Sequence, residues 1–252
     1  MRNIVLHLAF DGARYHGWQV QENAVSVQKT VQDAIERVFH TRLGLTGCSR
    51  TDAGVHANDY VCCFRTEATI PPISIARAIN TKLPADIAVR DCHEVDAAFH
   101  PRYSALGKEY IYKICDAQFR DPFLRDYALY YWKKLDSTLL NEAATRFLGK
   151  HDFAAFCSAG STTGHRPEEI SDTVRTIYAA EVIRDGDLVQ FRVHGDGFLY
   201  NMVRIMVGTL LFVAQGRLSP ADIAAVITSG DRRRAGPTAP AHALYLNHVF
   251  YA

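Results

Sequence analysis

Several motifs that mark common enzyme classes are missing from this sequence. It contains no P-loop, no G-x-G-x-x-G dinucleotide fingerprint and no G-x-S-x-G nucleophile elbow, so it carries no signature of a phosphate-cradling loop, a dinucleotide cofactor or an α/β-hydrolase. The six cysteines form no C-x-x-C pair, and the eleven histidines form no H-E-x-x-H motif or other paired ligand spacing. Because metal sites are recognised in sequences by such spacings, we expect no bound metal.

Signals for export and for membrane insertion are also missing. Residues 1–3 lead directly into a strand pattern, without the apolar segment and cleavage site of a signal peptide. The longest apolar run, Leu199 to Ala214, is too short to span a membrane and contains Arg204. The cysteines lie mostly in apolar, strand-like surroundings, which favour buried free thiols and a reducing compartment. We therefore predict a cytoplasmic protein without membrane contact.

Neither sign of charge dominates, because 28 Lys and Arg residues face 27 Asp and Glu residues, for a net charge of +1. This balance neither marks nor excludes a nucleic-acid partner, since basic residues can concentrate on one face. The candidate basic clusters are residues 232–234, residues 133–134, and the pair Arg102 and Lys108, although each run alone is more often a solvated surface. With 252 residues, 48% of them hydrophobic, the chain is long enough for one or two globular domains.

Reactive and small side chains occur together in one stretch, residues 47–57. Asp52 lies at its centre and Arg50 two positions earlier, so in an extended segment both side chains leave the same face. A nearby guanidinium favours the ionised carboxylate and can recognise phosphate or a base edge. Ala53 and Gly54 leave little bulk over the carboxylate. A fixed negative charge of this kind suits a reaction that passes through positive charge, such as cleavage at the anomeric carbon of a sugar.

The eight residues from Arg50 to Ala57, Arg-Thr-Asp-Ala-Gly-Val-His-Ala, resemble the signature of the tRNA pseudouridine synthase A family, whose central Asp is the catalytic residue. Ser49 stands where the family pattern often has Gly, which affects the local turn and not the chemistry. The Lys-Glu-Tyr pattern ending at Tyr110 and the Met-Val-Arg stretch ending at Arg204 also match the family. The resemblance runs almost from end to end of the chain.

The resemblance implies that the protein converts uridine to pseudouridine at positions 38 to 40 of the tRNA anticodon arm, where a base must leave its stack to react. It also implies a homodimer that lets one tRNA span both subunits. Asp52 would be the catalytic residue, acting as nucleophile, ionic partner or base, and the sequence leaves these alternatives open. Arg50 would help to displace the uridine, Tyr110 would stack on the flipped base, and Arg204 would pair with Asp52. An isomerisation without redox change needs no metal or organic cofactor.

Periodicity predicts an α+β fold of two halves. Residues 1–104 show the order β-α-β-β-α-β of a ferredoxin-like unit, in which both helices cover one face of an antiparallel sheet. A similar α/β pattern restarts near Tyr103 and fills residues 105–252, including a hairpin at Asp185-Gly186 and a buried helix at residues 199–215. We predict two ferredoxin-like, RRM-like domains whose sheets form one extended sheet, with the active-site cleft between the halves.

Two segments are predicted as functional loops. Residues 11–18 combine Arg, Tyr, His and Trp between glycines, so they either contact RNA by stacking and phosphate binding or are anchored by Trp18. The family has a similar Gly-Trp loop, which favours RNA contact. Residues 151–169 are rich in Gly, Ser and Thr and are predicted to form a loop over the site.

Two other functions are weighed against this one. The first is a catalytically silent tRNA-binding or tRNA-folding protein on the same scaffold, which the presence of Asp52 disfavours. The second is a nucleosidase or glycosidase. Such enzymes ordinarily use a second carboxylate as acid or base, and no partner acid stands out beside Asp52.

Overall fold

The computed structural model describes residues 1–158 and 172–252. In chain order its helices and strands are β1 (Arg2–Phe10), α1 (Val27–Phe39), β2 (Thr46–Gly47), β3 (His56–Thr66), α2 (Pro72–Asn80), β4 (Ile87–Val95), β5 (Gly107–Cys115), β6 (Leu129–Tyr130), α3 (Ser137–Thr145), β7 (Gly149–Asp152), β8 (Val174–Asp185), β9 (Leu188–Gly195), α4 (Met202–Ala214), α5 (Asp222–Ser229) and β10 (Leu244–Phe250). This content confirms the predicted α+β class. The chain divides into two compact units, residues 1–106 with 245–252, and residues 107–244.

The first unit contains the predicted β-α-β-β-α-β order. Strand β1 lies between β4 and β3 and is antiparallel to both, and β2 pairs antiparallel with the far side of β3. Strand β10 runs parallel to β3, with Tyr245 opposite His56 and Leu246 opposite Ala57. Apolar residues alternate along β4, where Ile87 and Val89 are buried and their neighbours are exposed.

Helix α1 shows why the sequence folds locally as it does. Four of its apolar residues recur at spacings of three and four and are buried: Val27, Val31, Ala34 and Ile35. Ser26 caps its N-terminus by accepting a hydrogen bond from the backbone N–H of Lys29 at 3.3 Å. His40 ends the helix in the left-handed conformation. The core beneath is built by alternate residues of two paired strands, all almost fully buried: Ile4, Leu6, Leu8, Tyr60, Cys62 and Phe64.

The second unit is built on β5, β9, β8 and β7, which neighbour one another in that order and pair antiparallel, while β6 pairs parallel with β5. The predicted hairpin at residues 185–186 joins β8 to β9, and Gly186 supplies a positive φ of 57° for its turn. Helix α4 is buried over most of its length, as its nearly unbroken apolar sequence predicts.

A backbone crossing fixes the segment that leads to β10. A Cβ added to Gly208 of α4 would lie 1.8 Å from the carbonyl oxygen of Pro237, and one added to Gly236 would lie 2.1 Å from the carbonyl carbon of Gly208. The backbone N–H of Gly236 also donates to Thr209 Oγ1 at 2.9 Å. The absence of side chains at both glycines therefore lets residues 236–239 run directly against the helix.

The loop predicted for residues 151–169 is wrong at its start. Residues 151 and 152 belong to β7, which pairs with β8, and Ala154–Phe156 form a short 3-10 helix whose Ala155 and Phe156 are buried. Pairing with a strand more than twenty residues later overrides the local Gly and Ser content. Residues 159–169 of the predicted loop lie outside the described part of the chain.

β3 begins within the Asp52 signature, because His56 and Ala57 already pair with β10. None of the helices in the described part of the chain is long and apolar enough to cross a membrane.

Candidate active site

Asp52 lies in the irregular segment between β2 and β3 and is half-buried, and Arg50 in the same segment is exposed. The chain turns directly after Asp52, where the backbone N–H of Val55 donates to the carbonyl oxygen of Asp52 at 3.2 Å. Gly54 at this turn has a φ of 80°, a conformation that glycine adopts without strain. The signature therefore forms a tight turn that leaves the catalytic candidate partly accessible.

The segment that carries Asp52 is held against the loop of residues 11–18 by backbone hydrogen bonds. The N–H of Trp18 donates to the carbonyl of Thr51 at 3.2 Å, and the N–H of Gly54 donates to the carbonyl of Tyr15 at 3.1 Å. A Cβ added to Gly17 would lie 2.2 Å from the Thr51 carbonyl oxygen. Glycine at this position is therefore a condition for the contact that places Asp52.

Trp18 supports the same segment from inside the core. Its side chain is only 2% exposed and stacks on Tyr60 with ring centroids 4.1 Å apart. The Tyr60 hydroxyl donates to the carbonyl oxygen of Ser49. A Cβ on Gly47 would lie 2.2 Å from the Tyr60 hydroxyl and 2.7 Å from the indole of Trp18. Trp18 is thus an anchor, and the interpretation that it stacks on RNA is wrong, because its side chain is almost fully buried within the protein.

Among the other side chains of the 11–18 loop, one is buried in the protein and two are exposed to solvent. Tyr15 is buried and its hydroxyl donates to Asp86 at 2.8 Å. Arg14 and His16 are exposed, and Arg14 pairs with Asp86 at 2.7 Å. RNA contact by this loop therefore remains a prediction for Arg14 and His16 only.

His56 also holds the segment that carries Asp52. This role was not predicted from the sequence. Its side chain is buried, its Nδ1 accepts a hydrogen bond from the backbone N–H of Gly12 at 3.0 Å, and its ring stacks on Tyr245 at 4.7 Å. A Cβ on Gly12 would lie 2.0 Å from the carbonyl oxygen of Val55. His56 and Gly12 therefore join the signature to the 11–18 loop and to β10. Only its place inside the signature marks His56 in the sequence.

Tyr110 and Tyr112 lie two residues apart on β5 and differ in their surroundings. Tyr112 is fully buried and its hydroxyl donates to the carbonyl of Pro240 at 2.9 Å, and burial raises the pKa of this phenol. Tyr112 therefore has a packing role. Tyr110 is 7% exposed and meets Phe198 edge to face with centroids 5.1 Å apart. Its stacking on a substrate base stays a prediction.

Arg204 lies in the first turn of α4 and is half-buried. Its Nε donates to the carbonyl of Ala239 at 2.7 Å, and its Nη1 donates to Asn201 Oδ1 at 2.7 Å. The N–H of Ala239 returns a hydrogen bond to the Arg204 carbonyl at 3.1 Å. Arg204 thereby fixes the crossing segment of its own unit. Its pairing with Asp52 stays a prediction.

Two members of the predicted basic clusters have structural roles. Arg232 donates to the carbonyl of Gly236 at 2.8 Å, and Lys134 pairs with Asp116 at 3.0 Å and with Asp187 at 2.7 Å. Arg233 forms a two-point contact with Asp231 while staying exposed. Local ion pairs therefore neutralise part of the charge that the runs suggest.

Residues 7–104 and 143–252 match the family model described as tRNA pseudouridine synthase. The chain belongs to the tRNA pseudouridine synthase family. Within that family it is similar to proteins named tRNA pseudouridine synthase A: it is 45% identical over 251 residues to that of Acetivibrio thermocellus and 44% identical over 252 residues to that of Clostridium kluyveri, with 100% of each chain covered. It is 44% identical over 245 residues to that of Geobacillus kaustophilus, covering 97% of this chain and 92% of the other.

The protein is accordingly an isomerase that converts uridine to pseudouridine in tRNA. Family membership confirms the predicted conversion of uridine to pseudouridine in tRNA, and it disfavours both alternatives, the silent RNA-binding protein and the nucleosidase.

Proposed function

We propose that this enzyme modifies uridines at positions 38 to 40 of the tRNA anticodon arm, with each target base flipped out of its stack, and that Asp52 is its catalytic residue. The observation that carries the proposal is the clamped, half-exposed position of Asp52. The backbone on both sides of it is hydrogen-bonded to the 11–18 loop, while its side chain stays partly accessible. A carboxylate held in this way can meet developing positive charge on a nucleotide without first reorganising.

The other three residues have supporting roles in the proposal. Arg50 is exposed beside Asp52 and takes the space of the displaced uridine. Tyr110 stacks on the flipped base. Arg204, already oriented by its hydrogen bonds to Asn201 and Ala239, keeps Asp52 ionised.

The decisive experiment incubates the full-length protein, without added cofactor, with unmodified tRNA transcripts and maps pseudouridine at every uridine. We expect conversion confined to the three anticodon-arm positions. Pseudouridine elsewhere in tRNA would overturn the site assignment. Release of free uracil would show hydrolysis in place of isomerisation.

The role of Asp52 is tested by Asp52→Asn, which keeps the shape of the side chain and removes its charge. We expect no detectable pseudouridine, with tRNA binding retained. The matched control is Asp185→Asn, because Asp185 is an exposed carboxylate at the end of β8 and its loss leaves the rate unchanged. Wild-type activity in Asp52→Asn would eliminate Asp52 as the catalyst.

The role of Arg204 is tested by Arg204→Gln, which retains a hydrogen-bond donor toward Ala239 and removes the positive charge. We expect a lower kcat with little change in thermal stability. A variant that loses stability and keeps its kcat would restrict Arg204 to the structural role seen in its own unit.

We further propose that the protein is a homodimer. Three large apolar side chains within residues 119–132 are exposed, namely Phe119 at 77%, Phe123 at 84% and Trp132 at 69%. Apolar exposure concentrated in this way is typical of an interaction surface. A second copy of the chain would also combine modest basic patches into one larger surface for tRNA.

The dimer is tested by light scattering coupled to size-exclusion chromatography. We expect the mass of two chains for the wild type and of one chain for Phe123→Asp. The control Ile73→Asp changes an exposed apolar residue of α2 and leaves the mass at two chains. A wild-type protein that elutes as one chain at all concentrations would overturn the proposal.

The proposal also covers the division of the chain into domains and the cellular compartment of the protein. We propose residues 1–104 as the domain with the Asp52 signature and residues 105–252 as the second domain, from which residues 245–252 return to the first compact unit. The cytoplasm is the proposed compartment, because all six cysteines are free thiols and such thiols persist where the surroundings are reducing.

A further inference from the structure

Five ionisable side chains form a row across the face of the first-unit sheet that is opposite to the core residues Leu6 and Leu8. The row crosses four neighbouring strands, β4, β1, β3 and β10. Its members are Asp91, His93, His7, Asp59 and His248. Apart from Asp91 and His93, which are two residues apart on β4, they are distant in the sequence, so strand pairing brings them together.

Three of these residues are close enough to share one ion. Atoms of His7, Asp91 and His93 that can bind a metal all lie within 4.8 Å of one another. Strand register enforces the arrangement, because His7 pairs directly with Asp91, and His93 follows Asp91 by two residues on the same face of β4. The side chains of Asp91 and His93 are about half exposed or more, so rotation of these two can close the ligand distances around an ion.

A second layer of contacts orients His7. Its Nδ1 donates to Asp59 Oδ1 at 2.6 Å, and Asp59 Oδ2 in turn accepts from Nδ1 of His248 at 2.8 Å. With Nδ1 committed to a carboxylate, Nε2 is the ring atom of His7 that remains available as a ligand. Carboxylates that hold a metal-binding histidine in one tautomer in this way are a recurring feature of metal sites.

We propose that His7, Asp91 and His93 bind one divalent transition-metal ion such as Zn²⁺, with Asp59 as the residue that positions His7. Two imidazoles and one carboxylate favour Zn²⁺, Co²⁺, Ni²⁺ or Cu²⁺ over the harder Mg²⁺ and Ca²⁺. Three protein ligands leave a fourth position of a tetrahedral ion open to solvent. The proposed ion is separate from the isomerisation, so the failure of either proposal leaves the other intact.

The test is calorimetric titration of ZnCl₂ into the full-length protein after removal of any histidine tag. We expect one ion per chain for the wild type. His93→Ala removes an exposed ligand without disturbing the core and weakens Zn²⁺ binding at least tenfold. Asp59→Asn keeps all three ligands and weakens binding by about tenfold, the effect typical of an orienting carboxylate.

The matched control is His40→Asn. His40 is an exposed histidine of the same unit, its left-handed backbone conformation is one that Asn also adopts, and it belongs neither to the group of three nor to the row. We expect its loss to leave the affinity within experimental error. Equal Zn²⁺ affinity in wild type and His93→Ala, or no saturable binding by the wild type, would show that the row consists of ion pairs only and would overturn the proposal.

A second measurement identifies the ligands. Cu²⁺ bound at this site would show hyperfine coupling to two imidazole nitrogens in its electron paramagnetic resonance spectrum, and His93→Ala would reduce this to one. A spectrum unchanged by the substitution would place the ion elsewhere and would also overturn the proposal.

Discussion

Asp52 is held in position by residues that do not themselves take part in the reaction. Gly17 and Gly54 allow two backbone segments to meet, and the Trp18 and Tyr60 pair supports the preceding turn from the core. Holding a reacting group in place before substrate arrives reduces the entropic cost of the reaction. Substitutions of these supporting residues should therefore lower the rate of pseudouridine formation, although the residues do not contact the substrate.

Gly17→Ala tests this dependence. An added methyl group would lie 2.2 Å from the Thr51 carbonyl oxygen at a φ of 77°, so the loop must shift or strain. We expect a lower kcat for pseudouridine formation and a lower Tm. Gly44→Ala is the control, because no atom lies within 4 Å of a Cβ there, and it should match the wild type or be slightly more stable. A Gly17→Ala enzyme with full kcat would show that the loop tolerates displacement.

Two substitutions of Tyr110 separate the contribution of its ring from that of its hydroxyl. If the ring stacks on the flipped base, Tyr110→Ala should cost about 1–3 kcal/mol of transition-state binding, or roughly 5- to 150-fold in kcat/KM. Tyr110→Phe keeps the ring and should retain most of the activity. Steady-state kinetics on one tRNA transcript, with Tm measured alongside, separates the two. Equal losses in both variants would assign the role to the hydroxyl.

A buried ion pair between Asp116 and Arg184 links the end of β5 to β8 in the second unit. Asp116 follows β5 directly, its side chain has no exposure to solvent, and it accepts two hydrogen bonds from Arg184 of β8 at 2.7 and 3.0 Å. The backbone N–H of Leu135 adds a third at 2.9 Å. Burial alone would raise the pKa of this carboxyl, but the hydrogen bonds outweigh it and hold the pKa at about 2. Lys134 also pairs with Asp116 but is exposed and contributes little.

Asp116→Asn leaves Arg184 without its charged partner and should lower the free energy of unfolding by about 2–4 kcal/mol at neutral pH. Because the folded pKa lies below the ordinary value of 3.8, the charged pair stabilises the protein above about pH 4 and loses its effect as the pH falls toward about 2. Urea unfolding should therefore show a constant difference between the variant and the wild type near neutral pH, and a shrinking one in acid. A difference that persists unchanged at about pH 2 would contradict the assignment.

At the scale of the whole molecule, the six cysteines are free, and five of them are buried in the two units. Burial raises the pKa of Cys62, Cys63 and Cys157, and it raises that of Cys92 to about 11. Since the thiolate is the reactive form, the folded protein should be nearly inert to thiol reagents.

Titration with Ellman's reagent measures this directly. We expect at most one thiol, that of the half-buried Cys157, to react slowly in the native protein, and six to react in guanidinium chloride. Cys157→Ser should abolish the native reaction. Rapid reaction of several thiols in the folded protein would contradict the packing of both units.

Local sequence determined the elements that depend on neighbours along the chain. The spacing of apolar residues and the Ser26 cap determined α1, alternation determined β4, and Asp185-Gly186 determined the hairpin between β8 and β9. The Asp52 signature determined the family, because eight consecutive residues preserve a turn and its chemistry together. These features need only short-range interactions, which a sequence displays directly.

Tertiary structure decided what depends on residues distant in sequence. It buried Trp18 against Tyr60 and drew residues 149–152 into a strand beside β8, where composition predicted a loop at 151–169. It also brought His7 beside Asp91 and His93, although no spacing of histidines in the sequence indicates a metal site. Strand pairing fixes such contacts through hydrogen bonds between segments many residues apart, and their register is set by the packing of the entire sheet.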